Sequence, residues 1–224
     1  MPILSYILTA LAAYLLGSIP TGFLVAKAKE IDIRSVGSGN IGATNAMRVL
    51  GKPAGILVLI ADAMKGFAAV LALPGIIVNC LDALRSLRPG AFNLGLQGSQ
   101  WEQAMIIAGV FAVLGHNYTC WLKFKGGKGI ATTAGVYLAL APWAVLVALV
   151  VFIVAILLTK YVSVGSISAA IALPVTVWVM TPHSLFLGIV TMALGALAIY
   201  KHKSNIQRLL AGTENRFGKK KESK

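Results

Sequence analysis

Three polar stretches interrupt an otherwise apolar chain of 224 residues, and their residue types suit them to hold phosphate. The first, Ser38 to Arg48, reads Ser-Gly-Asn-Ile-Gly-Ala-Thr-Asn-Ala-Met-Arg. Gly37, Gly39 and Gly42 let successive backbone N–H groups turn toward one anion, and Ser38, Thr44 and Asn45 add side-chain donors. A helix starting near Ala43 points its positive end at the same place, with the Arg48 guanidinium able to grip phosphate through two parallel bonds. The second stretch, Lys123 to Gly129, offers backbone amides at Gly126 and Gly127, the Lys128 ammonium, and Thr132 and Thr133 in the turn that follows. It is no Walker-type nucleotide loop, because Leu122 stands where that pattern needs glycine and Gly129 where it needs Ser or Thr. In the third, His202, Asn205 and Arg208 recur every three residues and share one helical face, and Glu214 is close enough in sequence to bridge back to an arginine.

Each stretch alone reads equally well as a glycine-rich turn, a basic loop or a juxtamembrane tail. Their positions along the chain decide otherwise. A hydrophobic fraction of 58% and a mean hydropathy of +0.82 leave too little polar surface to cover a water-soluble globule. Six apolar runs, Ile3 to Ala26, Ile56 to Val78, Met105 to Leu122, Ile130 to Leu158, Val162 to Met180 and Leu185 to Tyr200, mostly approach the ~20 residues a helix needs to cross a bilayer. They are apolar on all sides, which predicts helices and not the alternating strands of a membrane barrel. The expected class is an all-α integral membrane protein with one domain over residues 1–224. The N-terminal run lacks a charged leader region and a small-residue cleavage site, so it reads as a retained span.

Charge sets the expected topology. The net charge of +13 sits in the segments Lys27 to Lys52, Lys123 to Lys128 and Lys201 to the end, all three assigned to the cytoplasm by the positive-inside rule. This placement excludes a nucleic-acid partner. The Leu81 to Gln103 connection and Thr181-Pro182-His183 fall outside, and the Lys219 to Lys221 run is a solvated tail. Six single passes would leave the basic tail on the wrong side, so Ile130 to Leu158 must divide at Ala141-Pro142-Trp143. Seven transmembrane helices result, one short, with the N-terminus outside and the C-terminus cytoplasmic. Gly17 to Gly22, holding Pro20, should kink the first pass.

Asp62 and Lys65 lie inside an apolar helix at a spacing that lets them pair. They serve either as a tie between helices or as support for the site, and His116 is given a supporting role beside them. Cys80 and Cys120 fall near opposite ends of their spans and form no disulfide, and no His, Cys or carboxylate spacing suggests a metal.

Taken together, Gly17-Ser18-Ile19-Pro20 with Ser38 to Asn45 and Arg48, Asp62 with Lys65-Gly66, Gly115-His116 with Lys125 to Gly129, and His202, Asn205, Arg208, Leu209, Gly212 and Glu214 resemble the acyl-phosphate:glycerol-3-phosphate acyltransferases, the bacterial PlsY family. The resemblance covers essentially the whole chain; a longer outer loop, Arg85 to Gln103, departs from it. It implies transfer of a fatty acyl group from acyl phosphate to the 1-hydroxyl of glycerol 3-phosphate, giving lysophosphatidic acid in phospholipid synthesis. It further implies that Ser38, Arg48, Lys128, His202 and Asn205 hold glycerol 3-phosphate and that the loop from Asn40 through Gly42 and Thr44 to Asn45 holds the acyl-phosphate head, with no cofactor. The catalytic residues are then Ser38, His202 and Asn205. Gly126, Gly127 and Arg208 join the binding set, and Asp62, Lys65, His116 and Glu214 support it. His202 either acts as base or only binds. The expected setting is the bacterial inner membrane, as a monomer among lipids with its site facing the cytoplasm. A transporter of a phosphorylated metabolite would also want basic loops and broken helices, but the chain shows no internal repeat and its polar stretches lie on one side. A scaffold that binds anionic lipid is the third reading.

Overall fold

A computed structural model describes residues 2–86, 96, 98–182 and 184–217, and every regular element among them is helical. The chain divides into two compact units, Met1–Leu140 and Ala141–Lys224. Most of the expected outer loop between Arg85 and Gln103, His183, and the Lys219 to Lys221 tail lie outside the described residues.

The first unit holds α1 (Pro2–Ser18), α2 (Thr21–Lys27), α3 (Ala43–Leu50), α4 (Lys52–Ser86), α5 (Ser99–Asn117), a single 3₁₀ turn at Cys120–Leu122, and α6 (Ile130–Leu140). The expected kink is a full break. Pro20 has no N–H to give, so the helix stops at Ser18 and restarts at Thr21. The carbonyls released there are satisfied from elsewhere in the unit: Thr119 Oγ1, just beyond α5, donates to Ser18 O at 2.6 Å and Lys65 Nζ of α4 to Ile19 O at 3.0 Å. In a bilayer that satisfaction is obligatory, because water is not present to replace it.

Small residues carry the packing. Ala13, Ala69, Ala108 and Ala112 form one buried cluster between α1, α4 and α5. A Cβ on Gly17 would run into the Ala112 backbone, and one on Gly115 into the Tyr14 carbonyl, so α1 and α5 touch backbone to backbone. Likewise α6 lies on α4, with Gly135 against the Ala63 carbonyl and Gly66 against Thr132.

The second unit holds α7 (Pro142–Thr159), α8 (Val162–Met180), α9 (Leu185–Lys201) and α10 (Lys203–Leu210). Lys160 takes a left-handed conformation, φ 64°, and ends α7 by giving its N–H to Ile156 O at 2.8 Å. Gly165 of α8 packs against Phe152 and Ile156 of α7, and Gly195 of α9 against Ala170 and Pro174 of α8. At His202 the chain bends by 52° between α9 and α10.

Among the described residues, five segments are long and apolar enough to cross a membrane: Ile3–Lys27, Lys52–Leu84, Ser99–Leu122, Pro142–Thr159 and Val162–Met180. The bent α9 and α10 pair makes a sixth if counted as one span. The division expected within Ile130 to Leu158 is present, since α6 ends at Leu140 and α7 begins at Pro142. α6 has 11 residues and reaches roughly 16 Å, about half the hydrocarbon thickness.

Candidate functional site

The Ser38 to Arg48 stretch is built around one side chain. Asn45, in the first turn of α3, is buried, and its amide nitrogen donates to the carbonyls of Ile33 (3.2 Å), Val36 (3.1 Å) and Asn40 (2.9 Å). Its oxygen accepts the Ser38 N–H at 2.8 Å and lies 3.4 Å from Arg48 Nη1. The donor that sequence reasoning offered to an anion is therefore spent on closing the loop. Gly37 makes room for it: φ is 65°, and a Cβ there would strike Asn45 Oδ1. Asn40 acts similarly, its oxygen accepting the Gly42 N–H at 2.8 Å. Gly42 is the N-cap of α3, so the amides of Ala43 and Thr44 at that helix end have no acceptor within the helix. They stand beside exposed Thr44, Arg48 and Ser38. Two hydroxyls, a guanidinium and two helix-end amides are donor types that can serve an anion.

The approach to this loop carries an exposed pair. Asp32 accepts from Arg34 Nε at 2.9 Å and Nη2 at 2.8 Å and also from the Arg34 N–H, and these bonds hold its carboxyl down at about 2. Arg34 also lies over the Phe23 ring, 4.9 Å from its centre.

The Lys123 to Gly129 stretch is held from below. Gly127 donates its N–H to His116 O at 2.9 Å and Gly126 donates to Asn117 O at 3.2 Å, so both amides dock on the end of α5. A Cβ on Gly127 would overlap the His116 ring. That ring belongs to a buried cluster with Asp62 and Lys65. Lys65 Nζ lies 2.8 Å from Asp62 Oδ1 and 3.0 Å from His116 Nδ1, Asp62 Oδ1 accepts from Thr21 Oγ1 at 3.1 Å, and His116 Nδ1 is 3.7 Å from Asp62. An ammonium only donates, so beside it His116 Nδ1 is the acceptor and its ring proton sits on Nε2, toward Gly127.

The two stretches meet through apolar side chains. Leu122 shares a buried cluster with Ile33, Ile41, Ala46, Ala26 and Val58, with Phe23 and Leu50 against its edge. One core thus seats the loop before α3 and the turn that leads to Lys128.

In the second unit, Glu214 is the centre. Its carboxylate accepts from Asn205 Nδ2 at 2.8 Å, Ser163 Oγ at 3.2 Å and Arg208 Nε at 2.7 Å. The expected bridge to an arginine is present, and Asn205 and Arg208 do share a face of α10. Buried His202 places Nδ1 2.8 Å from Ala198 O. A carbonyl only accepts, so here the proton is on Nδ1 and the lone pair on Nε2, opposite to His116.

Sequence reasoning missed Thr21, Thr119 and Ser163, which tie the breaks together. Each sits in a different helix or turn from its partner, up to 101 residues away, and no local spacing marks it.

Comparison with known proteins adds to this geometry. The family model described as glycerol-3-phosphate acyltransferase matches residues 7–212. A glycerol-3-phosphate acyltransferase of Geobacter sulfurreducens is 46% identical over 211 residues, covering 94% of this chain and 96% of the relative. One from Geobacter metallireducens is 48% identical over 211 residues, covering 94% and 97%. Among solved structures, PlsY (YgiH), an integral membrane glycerol 3-phosphate acyltransferase, matches in its glycerol 3-phosphate form at 37% identity over 96% of both chains, with a TM-score of 0.79. Its lysophosphatidic acid form matches at 38% identity over 96% of both chains, with a TM-score of 0.74.

Proposed function

This chain belongs to the glycerol-3-phosphate acyltransferase family, and from that premise we propose that it moves a fatty acyl group from acyl phosphate to the 1-hydroxyl of glycerol 3-phosphate, releasing lysophosphatidic acid and inorganic phosphate. The observation that carries this reading is the loop closed around Asn45. It presents helix-end amides, Thr44, Ser38 and Arg48 with no carboxylate among them, a set suited to a phosphate oxyanion. The solved PlsY has a glycerol 3-phosphate form and a lysophosphatidic acid form, which correspond to the acceptor and the product of the proposed reaction.

In this mechanism the Asn40 to Asn45 loop, including Gly42 and Thr44, takes the acyl-phosphate head. Arg48, Lys128 and Ser38, with Gly126 and Gly127 shaping the backbone, take glycerol 3-phosphate. For His202 and Asn205 the family resemblance implies a part in orienting the acceptor hydroxyl, and within the second unit Glu214, which also accepts from Arg208, holds Asn205 in place. The hydroxyl oxygen attacks the acyl carbonyl carbon, the bond from that carbon to the phosphate oxygen breaks with its electron pair, and the hydroxyl proton passes to the departing phosphate. Acyl phosphate is already an activated donor, so positioning and electrostatic stabilisation supply the rate. If any side chain takes the proton first, it is His202, whose Nε2 bears the lone pair.

Purified protein in detergent with excess chelator should release phosphate from acyl phosphate only when glycerol 3-phosphate is added. A strict metal requirement, equal rates with acyl-CoA, or a pH profile abolished as an imidazole titrates would overturn the mechanism. Uptake into proteoliposomes without chemical change would replace it by transport. The enzyme is a monomer of the bacterial inner membrane with seven passes, α6 among them, an outside N-terminus and a cytoplasmic C-terminus. Cysteines placed at Ser35 and at Trp143, 70% exposed, should label from inside and outside respectively.

A further inference from the structure

The turn between α5 and Gly126 carries four exposed side chains that the reaction does not use. Trp121 is 64% exposed and Phe124 63%, while Leu122 between them is turned into the buried cluster with Ile33 and Ile41. The rings flank the end of the span that closes at Leu122, Trp121 just inside it and Phe124 just beyond, at the depth where bilayer meets water and aromatic rings are favoured. Lys123 and Lys125 alternate with them and are exposed. Neither lysine has a carboxylate partner among the described residues. Asp32 pairs with Arg34 and Asp62 with Lys65, and the sequence has no acidic residue between Glu102 and Glu214.

The backbone holds this arrangement at a cost. Lys123 and Phe124 are consecutive left-handed residues, φ 54° and 59°, a conformation that side chains with a Cβ disfavour. Phe124 N–H to Thr119 O at 2.9 Å and Lys125 N–H to Leu122 O at 3.1 Å fix it. Such strain is retained where the surroundings impose it, often at a ligand clamp. Two ammonium groups without counter-charges, interleaved with two exposed rings at the membrane surface, match a phosphodiester headgroup attached to acyl chains. A zwitterionic headgroup brings its own cation and gains less.

We propose that the Trp121 to Lys125 turn binds one anionic glycerophospholipid of the surrounding bilayer, its phosphate between Lys123 and Lys125 and its chains against Trp121 and Phe124. The detergent-purified full chain, titrated with phosphatidylglycerol or phosphatidylcholine and read by native mass spectrometry, tests this. Wild type should retain one phosphatidylglycerol in preference to phosphatidylcholine. Each lysine near an anionic headgroup is worth about fivefold, so K123Q/K125Q should bind phosphatidylglycerol about thirtyfold more weakly, while K123R/K125R keeps the preference. W121A/F124A should weaken both lipids alike. Equal retention of the two lipids by wild type, an unchanged preference in K123Q/K125Q, or its loss in K123R/K125R would overturn the proposal.

Discussion

The two glycine-rich stretches of the first unit are held in place by opposite constructions. The loop before α3 is organised from within: one buried amide, Asn45, binds three carbonyls and one N–H, all within twelve residues of it. The stretch before α6 is organised from outside. Its amides rest on the end of α5, and beneath them Asp62, Lys65, His116 and Thr21 join residues from α2, α4 and α5. A local loop is closed by local donors, whereas a loop seated on a membrane helix bundle depends on buried charge far away in sequence.

The largest effect should come from breaking the outside support. Lys65→Met leaves Asp62 buried without its cation, which should cost about 3–5 kcal/mol in thermal or denaturant unfolding. Asp62→Asn added to it should restore part of that loss, and if the single variant unfolds like wild type the second stretch does not rest on this pair. Breaking the inner support comes next. Asn45→Ala strands three carbonyls and one N–H and should lower stability by roughly 2–4 kcal/mol and kcat/KM by more than tenfold, with proteolysis appearing between Ile33 and Asn40. Wild-type resistance to protease would show that the loop closes without its amide.

If the proposed function holds, removing one of the cations assigned to phosphate should leave both constructions standing. Arg48→Ala and Lys128→Ala should each lower kcat/KM by about ten- to a hundredfold, the value of a charged hydrogen bond to phosphate, with unfolding unchanged. Normal kinetics in both variants would move the phosphate elsewhere. The smallest effect belongs to the exposed pair at the approach. Asp32 titrates at about 2 in the fold against an ordinary 3.8, so its contribution is fully present above that ordinary value and fades as pH falls through about 2. Asp32→Asn should melt slightly lower than wild type at neutral pH, and the gap should close between those two values. A gap that widens on acidification would reverse the assignment.

Much of this was legible along the chain because membrane physics writes itself locally. Apolar runs of bilayer length, the break at Pro20, the division before Pro142, a helix starting at Ala43 and the pairing of Asp62 with Lys65 all follow from composition or from spacings of a few residues. The motifs also carried the family. Tertiary structure alone decided what each polar group is spent on. Asn45 read as a free donor and is consumed by its own loop; His116, expected to support the site, and His202, expected to act in it, carry their protons on opposite nitrogens, because one faces an ammonium and the other a carbonyl. Sequence determines which hydrogen-bonding groups exist and roughly how deep they lie. Their partners are chosen only when distant helices close, since a buried polar group takes whichever complement the packing brings within 3 Å or so.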